Sequence, residues 1–505
     1  MELSLEQKTY NQCEKTASLT LRQPLETDLV LPDYCGDIKR ILHCTVEPNL
    51  FSSTVSGERV GAEGDLYIRL IYVNEDDAID CAEQRIPLSV SGIVKKVSVG
   101  AVLQTRASME YVNCRAVSPR KINVSGTALV HIDVLESKEE FYSGVSPSLE
   151  TQTRDISVSV LRALCEKSFD LSETLALGDN RPAVGKLLRV TGLPLLQAVE
   201  KVDDKLLLKG SLSVELLYLS VDGGLFRLTH ELPISQIIEA PGVKANGDVD
   251  VALQLQALQA EPKRDGNDEV RLIELLAKLS ALVKSYNEET MTVVTDCYAT
   301  QGLLRPTFSE RVFPQRVAAL HLVKSVQQSV DTDLKDGTLL DVSVLQTNSD
   351  VHGGGGRLII QCQTTMSLLL QDADGEVQYV ERTCEVQLDE TLDSDAKDIL
   401  CSPSISVKIA QSALDPNGLV RLQLDVSAEG AVFAEQSLLV LTDASLEDSS
   451  SDDAQSLVLS FSKQGDALWD IAKRYRTKLS LIQEENAIQG DVLQEDRMLL
   501  IPCAG

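Results

Sequence analysis

Aromatic side chains make up only 4% of this 505-residue chain, and a single tryptophan, Trp469, serves all of it. Cores this poor in rings must be aliphatic, and a chain this long needs roughly three or four of them. No apolar run approaches the roughly 20 residues that span a bilayer, which excludes a membrane-crossing helix. Positive charge is scarce: 47 Lys and Arg face 76 Asp and Glu, a net charge of −29. Nucleic acid and anionic lipid both require a basic face, so neither is an expected partner. The opening stretch MELSLEQKTYNQCEK has neither the basic start nor the apolar core of a secretion signal, which points to retention in the cytoplasm.

The signatures of chemistry are missing as well. The 11 cysteines are scattered without a Cys-x-x-Cys, and they read as reduced core thiols, with Cys503 as the exposed exception. The five histidines, His43, His131, His230, His321 and His352, form no ligand pair, so no metal site is expected. No Gly-x-x-x-x-Gly-Lys-Ser/Thr phosphate loop and no Gly-x-Ser-x-Gly elbow occur. The HGGGG at His352–Gly356 therefore reads as a turn between strands. Neither an enzyme nor a cofactor is indicated.

What the chain does have is repetition. GDLYIRLIY (Gly64–Tyr72), GSLSVELLY (Gly210–Tyr218) and CQTTMSLLL (Cys362–Leu370) share one alternating register. Leu66, Ile68, Leu70 and Tyr72 fall on one face, as do Leu212, Val214, Leu216 and Tyr218, and Met366, Leu368 and Leu370. A period of two is the mark of a half-buried strand. Acidic or glycine-bearing turns follow at NEDD, VDGG and DADG. A later strand also recurs, beginning at Ile122, Ile273 and Leu419, and the tripeptide CEK occurs at Cys13 and at Cys165. The reading is mainly β: three β-rich domains at 1–150, 151–300 and 301–441, with a short helix expected at GDIKRILH (Gly36–His43).

Residues 442–456, TDASLEDSSSDDAQS, hold five acids and no base and predict a flexible linker that leaves the C-terminus tethered rather than packed. Beyond it, 457–505 is nearly neutral, with six bases against seven acids. LVLSF predicts a strand. Asp466 precedes Leu468, Ile471, Ala472 and Tyr475 at helical spacing and is placed to cap that helix. LSLIQEEN predicts a second helix with Leu481 and Ile482 inward, and MLLIP a closing strand.

Gly465, Asp466, Leu468, Trp469, Ile471, Ala472, Asn486, Ile501 and Pro502 give 457–503 a resemblance to the LysM family, an α+β (βααβ) fold. Arg476 stands where that family commonly has glycine. The resemblance implies a glycan-binding groove with Ser462, Lys463, Gln464, Gly465, Asp466 and Ala467 on one wall, and Ala487, Ile488, Gln489, Gly490 and Asp491 on the other. LPDYCGDIKRIL (Leu31–Leu42) and the repeated β domains resemble the SPOCS-domain proteins of spore-forming Firmicutes. That likeness implies a non-catalytic scaffold in the mother-cell cytosol, at the forespore surface. It would bind the coat's basement-layer ATPase and other coat proteins, and self-associate through the repeats. The alternative is a peptidoglycan-binding protein that anchors coat to cortex.

Overall fold

Residues 5–447 and 457–502, apart from positions 179, 335, 394, 395, 397 and 398, are described by the computed structural model. Part of the expected linker (448–456) and Cys503 lie outside the described residues. Strands dominate, and three times the chain builds the same unit. In the first, β1 (Gln7–Val30), β6 (Lys121–Ser143) and β5 (Val102–Ser118) form one sheet, and β2 (Ile38–Ser56), β3 (Arg59–Asn74) and β4 (Ile79–Ile93) the facing one. In the second, β7 (Glu150–Ala176), β12 (Val270–Tyr298) and β11 (Asp248–Arg264) face β8 (Val184–Val202), β9 (Lys205–Ser220) and β10 (Leu225–Glu239). The third pairs β13 (Leu303–Asp331) with β19 (Leu419–Glu447). Here the fifth strand is divided into β17 (Ile399–Cys401) and β18 (Ser404–Leu414), opposite β14 (Thr338–Gly354), β15 (Arg357–Gln371) and β16 (Val377–Thr391).

The three similar stretches are β3, β9 and β15, the middle strands of the meanders. Their inward residues are fully buried, from Leu66 and Tyr72 to Leu212 and Tyr218 and to Met366 and Leu370. Burying one such side chain stabilises by about 1.5–3 kcal/mol. Asp77, Gly223 and Gly375 take positive φ in the hairpin turns that follow. HGGGG forms the β14–β15 turn, where Gly355 and Gly356 have φ of 59° and 78°. The recurring later strands are β6, β12 and β19, the last of each unit. CEK is not part of the repeat: Cys13 lies opposite Ser137 and Cys165 opposite Val283, at different registers of β1 and β7.

The helix expected at Gly36–His43 is instead the start of β2. Ile38, Ile41 and Cys44 all pack on the core, a spacing of three that mimics a helix. It arises from two β-bulges, between Ile38 and Arg40 and between Ile41 and His43, each of which inserts a residue and shifts the alternation. Val184, Leu187 and Val190 repeat the device in β8. The expected linker also starts later than its composition implies. Thr442–Glu447 continue β19, with Asp443–Glu447 paired to Leu303–Thr307 of β13 and Thr442 inserted at a bulge, and Leu441 just before them is fully buried.

The first strands of the units are 24, 27 and 29 residues long, several times the usual length. One half of each lies over its own core. The other half runs into a core shared by all three units, built from Tyr10, Tyr142, Ile156, Val158, Val160, Met291, Val293, Phe313 and Val440. A bulge marks the crossing each time, at Lys15/Ala17, opposite Ser285/Tyr286, and at Arg316/Ala318. The inserted residue re-phases the strand, so odd-numbered Leu19, Leu21 and Leu25 serve the first unit's own core while even-numbered Tyr10 serves the shared one. Tyr10 stacks on Phe313 at 5.2 Å and donates a hydrogen bond to the Val312 carbonyl at 2.9 Å.

The units also touch in pairs elsewhere. Lys186 meets Asp80, and Arg189 meets Asp341. His43 stacks on Tyr379 with ring centroids 3.9 Å apart, and its Nε2 shares a hydrogen bond with the Tyr379 hydroxyl at 3.0 Å. Burial, with the Arg189 charge adding to it, lowers the His43 pKa to about 4.

Phe313→Ala is expected to cost about 3–5 kcal/mol in denaturant unfolding, whereas Val323→Ala, on an exposed side chain, should change little. Equal effects would remove the shared core from the account. Because the unfolded chain protonates His43 first, its contact contributes fully above pH 6.5 and is lost as pH falls toward about 4. The native protein should therefore lose more stability over that window than His43→Phe; parallel curves would refute the assignment.

Candidate functional site

The C-terminal module follows the strand–helix–helix–strand order read from its sequence: β20 (Leu457–Ser462), α1 (Leu468–Tyr475), α2 (Leu479–Glu485) and β21 (Arg497–Pro502). Its core is Leu468, Ile471, Ala472, Ile482, Leu493, Leu499 and Ile501. Leu481 is only half-buried, and Leu479 packs on the core in its place, because positions three apart share a helix face. Asn486 ties α2 to β21: its Nδ2 donates to the Ile482 and Leu500 carbonyls at 2.9 and 2.6 Å, and its Oδ1 accepts from the Leu500 amide at 2.7 Å. Asp466 does not cap α1. It turns back to accept from the Lys463 amide at 2.9 Å, and Ala467 at the helix start makes no side-chain cap. Gly465, with φ of 91°, allows that turn.

The two sequence-derived walls of the groove come together through the backbone. The Gly465 amide donates to the Leu493 carbonyl, the Leu493 amide to Asp466 and the Leu468 amide to Asp491, at 2.9, 3.0 and 2.9 Å. Ala467 and Val492 form a β-bridge. On the far wall the Ile488 amide donates to Gln483, and Gln483 Nε2 to the Gly490 carbonyl, both at 3.0 Å. Lys463, Gln464, Gly465, Asp466, Ala487, Gln489, Gly490 and Asp491 are exposed. Ala467 and Ile488 are half-buried and Ser462 is buried, so these three shape the walls from beneath.

Sequence reading missed where the module sits. It is packed on the repeats rather than merely tethered. Trp469 Nε1 donates to Asp296 Oδ2 at 2.8 Å, and Lys473 Nζ lies 2.6 and 2.7 Å from the two carboxylate oxygens. Burial works against the charge on Asp296, but the Lys473 and Trp469 hydrogen bonds outweigh it and hold its pKa below the ordinary carboxylate value. Tyr298 meets the Trp469 ring edge-on at 5.0 Å and donates to the Thr477 carbonyl at 2.8 Å. Arg476 reaches the Gly302 carbonyl at 3.3 Å. No local pattern signals these partners, which lie more than 170 residues apart in sequence. The linker's composition describes the linker alone. The one available hint was Arg476, which occupies a left-handed conformation (φ 51°) that costs a non-glycine residue about 1 kcal/mol.

With this geometry in place, the comparisons with known proteins agree with it. The family model described as SipL, SPOCS domain matches residues 37–132 and 183–263, most of the first unit and the middle of the second. The LysM domain model matches 463–502. Neither the curated proteins nor the solved structures give a significant match. The third unit shares the strand order and register of the two that match. The chain thus carries SPOCS-domain matches in its first two units and a LysM-domain match at its end, an arrangement similar to that of SipL-type proteins.

Proposed function

We propose that this chain is a non-catalytic scaffold of spore morphogenesis. In this reading its LysM domain docks on the ATPase of the coat basement layer, stage IV sporulation protein A, and promotes encasement of the forespore from the mother-cell side. The SPOCS and LysM domains themselves mark a sporulation-related protein carrying a domain of the peptidoglycan-binding type.

The observation that supports a protein partner is the outer face of the β20–β21 pair. Phe461 lies opposite Met498 and Leu459 opposite Leu500, and Phe461, Met498 and Leu459 are 66%, 61% and 63% exposed. Phe461 adjoins Ser462 and Lys463, and exposed Val492 adjoins Asp491, so apolar surface borders both walls of the groove. A polysaccharide chain gives aliphatic side chains such as Leu459, Met498 and Val492 little to bury against, whereas a contiguous apolar patch with a polar rim is the usual anatomy of a protein interface. The repeats then serve as the platform for other coat proteins and for self-association. The glycan reading keeps one observation in its favour: Gln464, Gln489 and Asp491 stand free in the groove and offer polar groups to sugar hydroxyls.

Binding of the full-length chain to the purified ATPase and to cortex sacculi separates the two readings. Phe461→Glu with Met498→Glu should weaken ATPase binding about ten-fold or more, with little retention on sacculi by any form. Retention on sacculi that is lost on Lys463→Glu with Asp491→Ala, together with indifference to the ATPase, would replace the scaffold by the cortex anchor.

A further inference from the structure

We infer that the end of β12 is an interaction surface for this chain's own LysM domain, with Asp296 as the clasp, so that the groove is presented in a fixed place beside the repeats. The inference rests on the assignment of the module and not on what its groove binds.

Three features carry it. Trp469 and Lys473 are four residues apart on α1 and therefore share a face, and both converge on one carboxylate. That carboxylate is itself held in place, since Asp296 Oδ1 accepts from the Cys297 amide at 2.9 Å, and the flanking Val294 and Cys297 are buried against Leu441 of β19. A charge-assisted pair on so rigid a base loses little freedom on closing. Second, Tyr298 is buried within the LysM core cluster, although it belongs to the second unit. Its ring and hydroxyl are satisfied by Trp469 and Thr477, so undocking would expose both. Third, Arg476 keeps a strained left-handed backbone where glycine would relax, and its guanidinium makes the contact to Gly302 that glycine cannot.

The clasp uses the α1 face, whereas the groove lies at the loops before α1 and after α2. Groove residues Lys463, Gln464, Gln489 and Asp491 remain exposed while the clasp is closed. A ligand of the groove therefore meets the docked domain with the repeats at a set distance. A ligand that needed the tryptophan would first have to displace Asp296.

The single tryptophan makes the test direct, because Trp469 reports on the clasp without a label. Time-resolved fluorescence anisotropy of the full chain should show Trp469 tumbling with the whole 55.1 kDa particle. Asp296→Ala with Tyr298→Ala should add a fast component of a small free domain and raise the acrylamide quenching constant at least two-fold. Arg476→Gly should do so in part while leaving the LysM domain folded, which guards against a double variant that merely unfolds. Unchanged anisotropy and quenching in both variants would overturn the inference. So would native signals that depend on protein concentration, since these would place the docked domain on a second copy. No partner is present in this experiment, so its outcome is separate from the binding assay above.

Discussion

The molecule depends on one inserted residue in each of three long strand pairs. A two-residue period fixes which side of a strand is apolar, and a bulge reverses that choice at a single point. Below the bulges, each pair closes its own double-sheet core; beyond them, the six strand ends bury Tyr10, Phe313, Val158, Val293 and their neighbours together. Three β units that could have been independent domains are thereby joined through a common interior rather than through surface contacts. Interfaces made only of ion pairs such as Lys186–Asp80 could not do this, because partly exposed pairs contribute little net stability.

The same interior accounts for the site. The far end of β12 is pinned by Val294 and Cys297 against Leu441, which makes Asp296 and Tyr298 a firm base for the LysM domain. That domain turns its tryptophan inward to the base and leaves the loops before α1 and after α2 and the apolar face of β20–β21 in solvent. Under the proposed function, loops held beside these acidic repeats would let a scaffold align one partner against others.

Much of this was legible in the sequence, for identifiable reasons. Residues such as Leu66, Leu212 and Leu368 sit in middle strands without bulges, so their alternation is unbroken and their burial follows from it. The order of elements in the LysM module was legible because local signals build it, such as the turn at Gly465 and Asp466 before α1 and Asn486 at the end of α2. The error at Gly36–His43 came from paired bulges, which turn a period of two into an apparent period of three. The linker was placed too early because Thr442–Glu447 look polar and acidic, yet they gain order from a partner strand more than 130 residues away. Asp296 was invisible for a related reason: nothing near it in sequence distinguishes it from the chain's many other acids, and its meaning lies in the two side chains it meets.

Amide hydrogen exchange of the intact chain tests the shared interior most directly. If the three units form one cooperative structure, the strand ends around Tyr10, Tyr142, Val158, Val293, Phe313 and Val440 should exchange together, and as slowly as the middle strands β3, β9 and β15. Three separate opening rates, one per unit, with these strand ends exchanging early, would contradict it.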